Sequence, residues 1–443
     1  MVRIEASYWV KPAKETPKRL MCLSDVDQVR SITHAATVYF YEKPGEFANA
    51  VDVLRDSLSK ALVTFYPLAG RLRLISGGRF ELDCNSKGAR LLVAKSEAKI
   101  QDFGDFLPTP EIRSLIPPAN YYTPIHEIPL LLVQLTKFSC GGICLGLGIS
   151  NILVDGQSGL NFVTEWAKVA RGEKSNNPPL LDRRILQAKE PFSVPSFEHT
   201  EFSPPRLIGQ PDDLEERKKD TTVAMLELNQ EEIEKLKRKA NEGRTSGDTS
   251  RPYSRYEAVA GHIWRCASKA RGHMSQQPTR LCTIVGFRNR MDPPLPENYF
   301  GNAIIRAAAT TTSGELLSKP LHYATSKIRE SIERVTDEYV RSSLVFARDQ
   351  PDVSRYRNCH TVGSTEGTFY GNPSVEITTW ARLPIHGTDF GWGNEIHMGS
   401  GSIGHDGLTI IRPGHDEDGS FVVTLRLQVA HMGAFKNYFY EDI

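Results

Sequence analysis

Short, strand-like runs rich in apolar residues recur along the first half of the chain, over 33–42 (THAATVYFYE), 78–84 (GRFELDC), 130–138 (LLLVQLTKF) and 142–150 (GICLGLGIS). Apolar runs of this length predict strands. Two longer stretches, 47–65 (FANAVDVLRDSLSKALVTF) and 158–172 (SGLNFVTEWAKVARG), carry apolar residues at helical spacing. Strands interleaved with helices predict a mixed sheet covered by helices, an α/β layout. Past a Pro-rich and polar stretch the pattern resumes. A strand is predicted at 221–229 (TTVAMLELN), a charged surface helix at 230–242 (QEEIEKLKRKANE), a buried helix at 254–271 (SRYEAVAGHIWRCASKAR), and a strand followed by a helix at 420–439.

The stretch from about 174 to 216 (NNPPLLDRR, EPFSVPSF, SPPRLIGQPDD) reads as a crossover, so residues 1–174 and 217–443 are expected to form two comparable domains joined by a linker over 175–216. An interface between two such units is where ligand sites form preferentially. Composition narrows the partners. The 54 basic and 53 acidic side chains leave a formal charge of +1, so no global field draws the chain to nucleic acid or an anionic membrane. The N-terminal MVRIEASYWVKPAKE lacks the apolar core of a signal peptide, and no apolar run reaches the ~18 residues of a membrane span, so a cytoplasmic monomer is expected. The seven cysteines are scattered, which predicts reduced thiols, with Cys140 and Cys144 packed in a core rather than holding zinc.

Candidate chemistry gathers at 146–166 (GLGISNILVDGQSGLNFVTEW), an apolar strand that breaks into polar residues and glycine before an amphipathic helix. On the residues alone, Asn151 and Asp155 are most simply residues of a plain turn. The segment Asn151-Ile152-Leu153-Val154-Asp155-Gly156 is similar to the His-x-x-x-Asp-Gly of the BAHD acyl-CoA-dependent acyltransferases, with Asn151 at the position of the histidine. A second segment, Asp389-Phe390-Gly391-Trp392-Gly393, matches the family's other signature in full, after Trp380, Arg382, Leu383 and Pro384. TFYPLAGRL (64–72), SRYEAVAGHIWR (254–265) and YFGN (299–302) extend the resemblance over nearly the whole chain. At Gly286 the chain departs from it, because the family usually has aspartate before the arginine pair Arg288 and Arg290.

The resemblance implies two chloramphenicol-acetyltransferase-like domains with a channel through their interface, an acyl-CoA substrate and no cofactor or metal. It casts residue 151 as the general base and Asp155 as an orienting carboxylate, and gives the Asp389–Gly393 loop a shaping role, with Asp389 fixed by a neighbouring basic side chain. Ser254, Arg255, Arg288 and Arg290 would meet coenzyme A, although the two later arginines equally fit salt bridges at a domain seam. His34, Tyr39, Thr378 and Trp380 match positions lining the acceptor pocket of shikimate-acylating relatives, and each aromatic equally fits a core. Those relatives carry an arginine where this chain has Thr365 followed by Glu366. A carboxylate there suits an amine. Together with the ending HMGAFKNYFYEDI, this gives closest likeness to the spermidine hydroxycinnamoyl transferases, hence a hydroxycinnamoyl-CoA donor and spermidine acceptor.

Asparagine cannot take a proton as imidazole does, so the expected enzyme is impaired, either a natural low-activity member or a His-to-Asn variant. His360, His386, His397 and His405 lack the strand-end context of a replacement base. Two other readings remain: a binding protein for acyl-CoA or amine, and an O-acyltransferase acting on an alcohol.

Overall fold

The structure, a computed structural model, describes residues 1–42, 45–174, 177–188, 195–209, 213–242, 251–357, 369–414 and 418–443. Its strands run in chain order β1 (Val2–Val10), β2 (Leu20–Cys22), β3 (His34–Tyr41), β4 (Arg71–Leu74), β5 (Phe80–Asp83), β6 (Ala89–Ser96), β7 (Leu131–Phe138), β8 (Ile143–Ser150), β9 (Thr221–Leu228), β10 (Pro278–Gly286), β11 (Ile304–Thr312), β12 (Val375–Thr379), β13 (His397–Ser400), β14 (Leu408–Pro413) and β15 (Phe421–Gln428). They form a first mixed sheet ordered β1-β6-β7-β8-β3-β13, a second ordered β11-β10-β12-β14-β15-β9, and a small sheet β2-β5-β4. A two-unit α/β architecture follows, as the alternating pattern predicts.

Each large sheet turns one face to helices. In the first, Leu145, Leu147 and Ile149 of β8 pack in one core with Leu54, Leu58 and Leu62 of the helix Phe47–Thr64 and Phe162 and Trp166 of the helix Gly156–Ala170. In the second, Val375 and Ile377 of β12 pack with Val259, Ile263 and Trp264 of the helix Arg255–Arg271. Strand alternation then sends Glu376, Thr378 and Trp380 to the opposite face. Trp380 lies against the first core, so this face looks toward the seam between the units.

One stretch of the second half does not stay with its own sheet. Strand β13 forms the edge of the first sheet, with His397 opposite Phe40 and Ser400 opposite Thr37. The division expected at residue 217 therefore does not hold for 397–400. The thiols also differ from expectation at one place: Cys144 is buried, but Cys140 sits in the β7–β8 turn and is exposed. No group of His, Cys, Asp and Glu among the described residues could hold a metal ion, and no described helix is long and apolar enough to cross a membrane.

The strand that delivers Asn151 is tightly backed. A Cβ added at Gly146 would press into the Leu115 carbonyl, whereas one at Gly148 would stand 3.4 Å from the Cβ atoms of His34 and Leu132. Gly146→Ala is therefore expected to lower stability in chemical denaturation by ~1–3 kcal/mol through overpacking, and Gly148→Ala by clearly less.

Candidate active site

Strand β8 ends at Ser150, and the chain turns through 151–153 before Asp155 caps the helix Gly156–Ala170, its Oδ1 accepting from Ser158 N at 2.9 Å. The cap satisfies one of the unpaired N–H groups of the first helical turn. Asp155 is 5% exposed, and its two oxygens also receive Arg288 from the end of β10 at 2.6 and 3.0 Å and Ala303 N at 2.9 Å. Arg288 continues to Ser158 Oγ at 2.9 Å. A carboxylate this enclosed keeps its charge only with such partners. Its work here is to fix the turn.

A second buried pair holds the same turn from behind. Arg183 donates to Asp27 Oδ2 at 2.7 Å, to the Leu153 carbonyl at 2.7 Å and to the Phe300 carbonyl at 3.2 Å. Asn302 Nδ2 lies 2.8 Å from Asp27 Oδ1 and 3.2 Å from each of the carbonyls of Asn151 and Ile152. Three consecutive carbonyls are thus caught by side chains from outside the first sheet. Asn151 itself donates through its backbone N–H to the Thr33 carbonyl at 2.9 Å and through Nδ2 to Thr33 Oγ1 at 3.1 Å. One of its two amide N–H donors is used on Thr33, so a second N–H and the carbonyl Oδ1 are what it can offer a ligand.

Thr33 precedes His34, whose Nε2 lies 2.8 Å from the Pro129 carbonyl and whose Nδ1 lies 2.8 Å from Tyr121 Oη. A carbonyl only accepts, so Nε2 carries the hydrogen and Nδ1 accepts from the tyrosine hydroxyl. Burial pushes the imidazole down to about 4, which keeps this neutral tautomer at pH 7. Thr378 and Trp380 are half-buried on the seam side of β12. Leu383, just beyond them, places its Cδ1 3.3 Å from where a Cβ on Gly156 would sit, so the end of β12 docks on the 151–156 turn.

The Asp389–Gly393 loop folds on itself. Asp389 Oδ1 accepts from the backbone N–H groups of Gly391, Trp392 and Gly393 at 2.7, 2.9 and 2.9 Å, and both glycines have positive φ, +92° and +81°. Backbone donors, rather than the basic side chain expected from sequence, fix this carboxylate, while Arg171 reaches the Asp389 carbonyl. Phe390 packs edge-on to Trp166 at 4.9 Å and Trp392 edge-on to Tyr41 at 5.3 Å, which ties the loop to the first core.

The Transferase family matches residues 1–442. The chain belongs to this family, the BAHD acyltransferases. Among its relatives, the hydroxycinnamoyl-CoA:piscidic acid hydroxycinnamoyltransferase of Actaea racemosa is 47% identical over 100% of both chains. The shikimate O-hydroxycinnamoyltransferase of Nicotiana tabacum is 40% identical over 99% of both. A hydroxycinnamoyl-CoA:5-hydroxyanthranilate N-hydroxycinnamoyltransferase of Avena sativa is 36% identical over 98% of both. In fold the chain is similar to F. graminearum TRI101 complexed with coenzyme A and T-2 mycotoxin, with TM-score 0.78, 17% identity, and 95% and 97% of the two chains covered.

Several contacts expected of a BAHD chain fall elsewhere. Arg288 is 6% exposed and committed to Asp155, so it cannot reach a coenzyme phosphate. Arg290 donates to the carbonyls of Ile332 and Val335 at the end of the helix Leu321–Glu333. Ser254 is the N-cap of the helix Arg255–Arg271, in a reciprocal box with Glu257, and Arg255 pairs with Glu234 at 2.6 Å. Tyr39 is 1% exposed inside the first core rather than on a pocket wall. Thr365, Glu366 and His360 lie outside the described residues. His386 stands 3.6 Å from Glu395, and His397 stacks on Phe106 at 4.2 Å. Sequence reasoning missed Thr33, Asp27 and Arg183. Arg183 sits in the Pro-rich crossover, whose composition hides a buried ion pair, while the Asn302 signal was present in YFGN.

Two outcomes follow. Asp155→Asn leaves Arg288 buried without its counter-charge and should cost ~3–5 kcal/mol in denaturant unfolding. Because unfolded His34 titrates at its ordinary 6.5 and folded His34 at about 4, the unfolded chain binds more protons between those values, and stability falls as pH drops through that window. His34→Gln should flatten that part of the stability profile.

Proposed function

We propose that this protein transfers a hydroxycinnamoyl group from its coenzyme A thioester to a hydroxyl or amine on an acceptor that also carries a carboxylate. The observation that carries the reading is full-length similarity to hydroxycinnamoyltransferases whose names give piscidic acid, shikimate and 5-hydroxyanthranilate, each of them an acid. The relatives include an O- and an N-acyltransferase, so either nucleophile fits. Spermidine is the second acceptor reading. It rests on Glu366 standing beside the place of the family's carboxylate-binding arginine, and on the subfamily-like ending of the chain.

The reaction joins the acceptor oxygen or nitrogen to the thioester carbonyl carbon, passes through a tetrahedral oxyanion and expels coenzyme A as its thiolate. The acceptor proton must leave during the attack. In the family reading, residue 151 takes that proton. Asn151 cannot, because its carboxamide has no basic lone pair in this pH range, yet its Oδ1 can hold the acceptor X–H by a hydrogen bond. What remains is positioning on a turn clamped by Asp155–Arg288 and Asp27–Arg183, with the proton passing to water. Slow turnover that rises with pH is the consequence.

Free-thiol release from a hydroxycinnamoyl-CoA, with shikimate or spermidine as acceptor, tests the assignment. Asn151→His should raise the rate by ~10²–10⁴-fold near neutral pH. Equal rates in the two proteins would remove residue 151 from the base position. Thioester binding without thiol release in either would make the chain a binding protein, and faster reaction with spermidine than with the acid would favour the second acceptor.

A further inference from the structure

With no base at residue 151, the acceptor's proton still has to travel from the clamped turn to water, and the structure holds a connected path for it. Asn151 Nδ2 donates to Thr33 Oγ1 at 3.1 Å, and Thr33 Oγ1 lies 2.8 Å from Ser31 Oγ. The direction of this chain is set by its N–H groups, which only donate. The Asn151 amide occupies one lone pair of Thr33 Oγ1, and the Thr33 N–H, at 3.2 Å, occupies one of Ser31 Oγ. The Thr33 hydroxyl hydrogen is then free to bond Ser31, and the Ser31 hydroxyl hydrogen is left for solvent at a half-buried position in the loop before β3. Thr33 is also held in place from both sides. Its carbonyl accepts from Asn151 N–H at 2.9 Å, and the next residue, His34, meets Tyr121 Oη through its N–H at 3.0 Å and through Nδ1 at 2.8 Å. Hydrogen bonds aligned in this way polarise one another.

A carboxamide does not keep an added proton, but it can hand one on. A hydrogen gained at Oδ1 is balanced by one lost from Nδ2, which leaves a neutral imidic acid and no charge on residue 151. We propose that Asn151, Thr33 and Ser31 form a proton relay that conducts the acceptor's proton from the reacting atom to water. The relay rests on the acyl-transfer reading and supplies its proton path. As the acceptor oxygen or nitrogen bonds to the thioester carbon, its hydrogen passes to Asn151 Oδ1. One Nδ2 hydrogen passes to Thr33 Oγ1, the Thr33 hydroxyl hydrogen to Ser31 Oγ, and the Ser31 hydroxyl hydrogen to a solvent water or hydroxide. When the tetrahedral intermediate collapses, the C–S bond breaks and the departing thiolate takes the Oδ1 hydrogen. Nδ2 then recovers a hydrogen from solvent along the same path in reverse, so every group ends as it began. Thr33 and Ser31 touch no substrate and act through Asn151. An imidazole at residue 151 would need neither hydroxyl, because it keeps the proton until the thiolate leaves.

Steady-state thiol release from p-coumaroyl-CoA, with shikimate and in parallel spermidine as acceptor, tests the relay on the full-length chain, with the melting temperature of each variant confirming that it is folded. Thr33→Val and Ser31→Ala should each lower kcat by about tenfold or more while KM for both substrates stays within about twofold, the pattern of a lost proton-transfer step rather than lost binding. Thr33→Ser keeps the hydroxyl and should stay within about threefold of the unaltered rate. In mixtures of light and heavy water the unaltered chain should show a curved dependence of rate on deuterium fraction, as several protons move together, and Ser31→Ala a linear one. Made on Asn151→His, which holds the proton itself, the two hydroxyl deletions should cost no more than about threefold. Equal rates in the unaltered chain, Thr33→Val and Ser31→Ala overturn the relay. So do a linear isotope dependence in the unaltered chain, a Thr33→Ser variant as slow as Thr33→Val, deletions equally costly on Asn151→His, or an unaltered chain that releases no thiol while Asn151→His does. If neither chain releases thiol, the acyl-transfer reading itself fails.

Discussion

The ion pair between Asp155 and Arg288 is the interaction on which the site depends. Taking both charges out of water is expensive, and a pair of this kind returns little net stability. Its return is geometric. It joins the start of the helix Gly156–Ala170 in the first unit to the end of β10 in the second, and the same carboxylate caps the helix and holds Ala303. Asp27 and Arg183 repeat the arrangement one layer behind, drawing in the crossover. With both pairs made, four remote stretches of sequence meet at one turn and its conformation has little freedom left.

Much of the fold was legible because it rests on periodicity. The alternation in β9 and the helical spacing in 47–64 and 255–271 are imposed by burying one face, and the largely apolar runs of β7 and β8 by burial on both, so they show in the order of residues. Strand β13 was not legible, since the four residues His397–Ser400 are too short to carry a period and their partner lies more than 350 positions away. Arg288 illustrates the limit for the site. A cation at a seam is chemically ready for a phosphate or for a carboxylate, and only the fold reveals that Asp155 has taken it. Tyr39 is similar, because an aromatic on a strand looks the same from sequence whether it faces a pocket or a core.

The clamp around residue 151 does not depend on an ionisable side chain at that position. Asn151 bonds to Thr33 and presents its backbone carbonyl to Asn302 through contacts that an uncharged amide makes without strain. Nothing in the clamp needs residue 151 to titrate. Residue 151 is thus held in the turn by amide and backbone contacts alone.

The placement of β13 bears on how the chain emerges from the ribosome. Residues 1–174 supply every other strand of the first sheet, yet the free edge of β3 stays uncovered until residue 400 has been made, long after its neighbours. During that interval an unpaired strand edge faces the cell, the kind of surface that pairs with strangers. Expressed by itself, the N-terminal unit would carry the uncovered edge of β3 as an open template for aggregation.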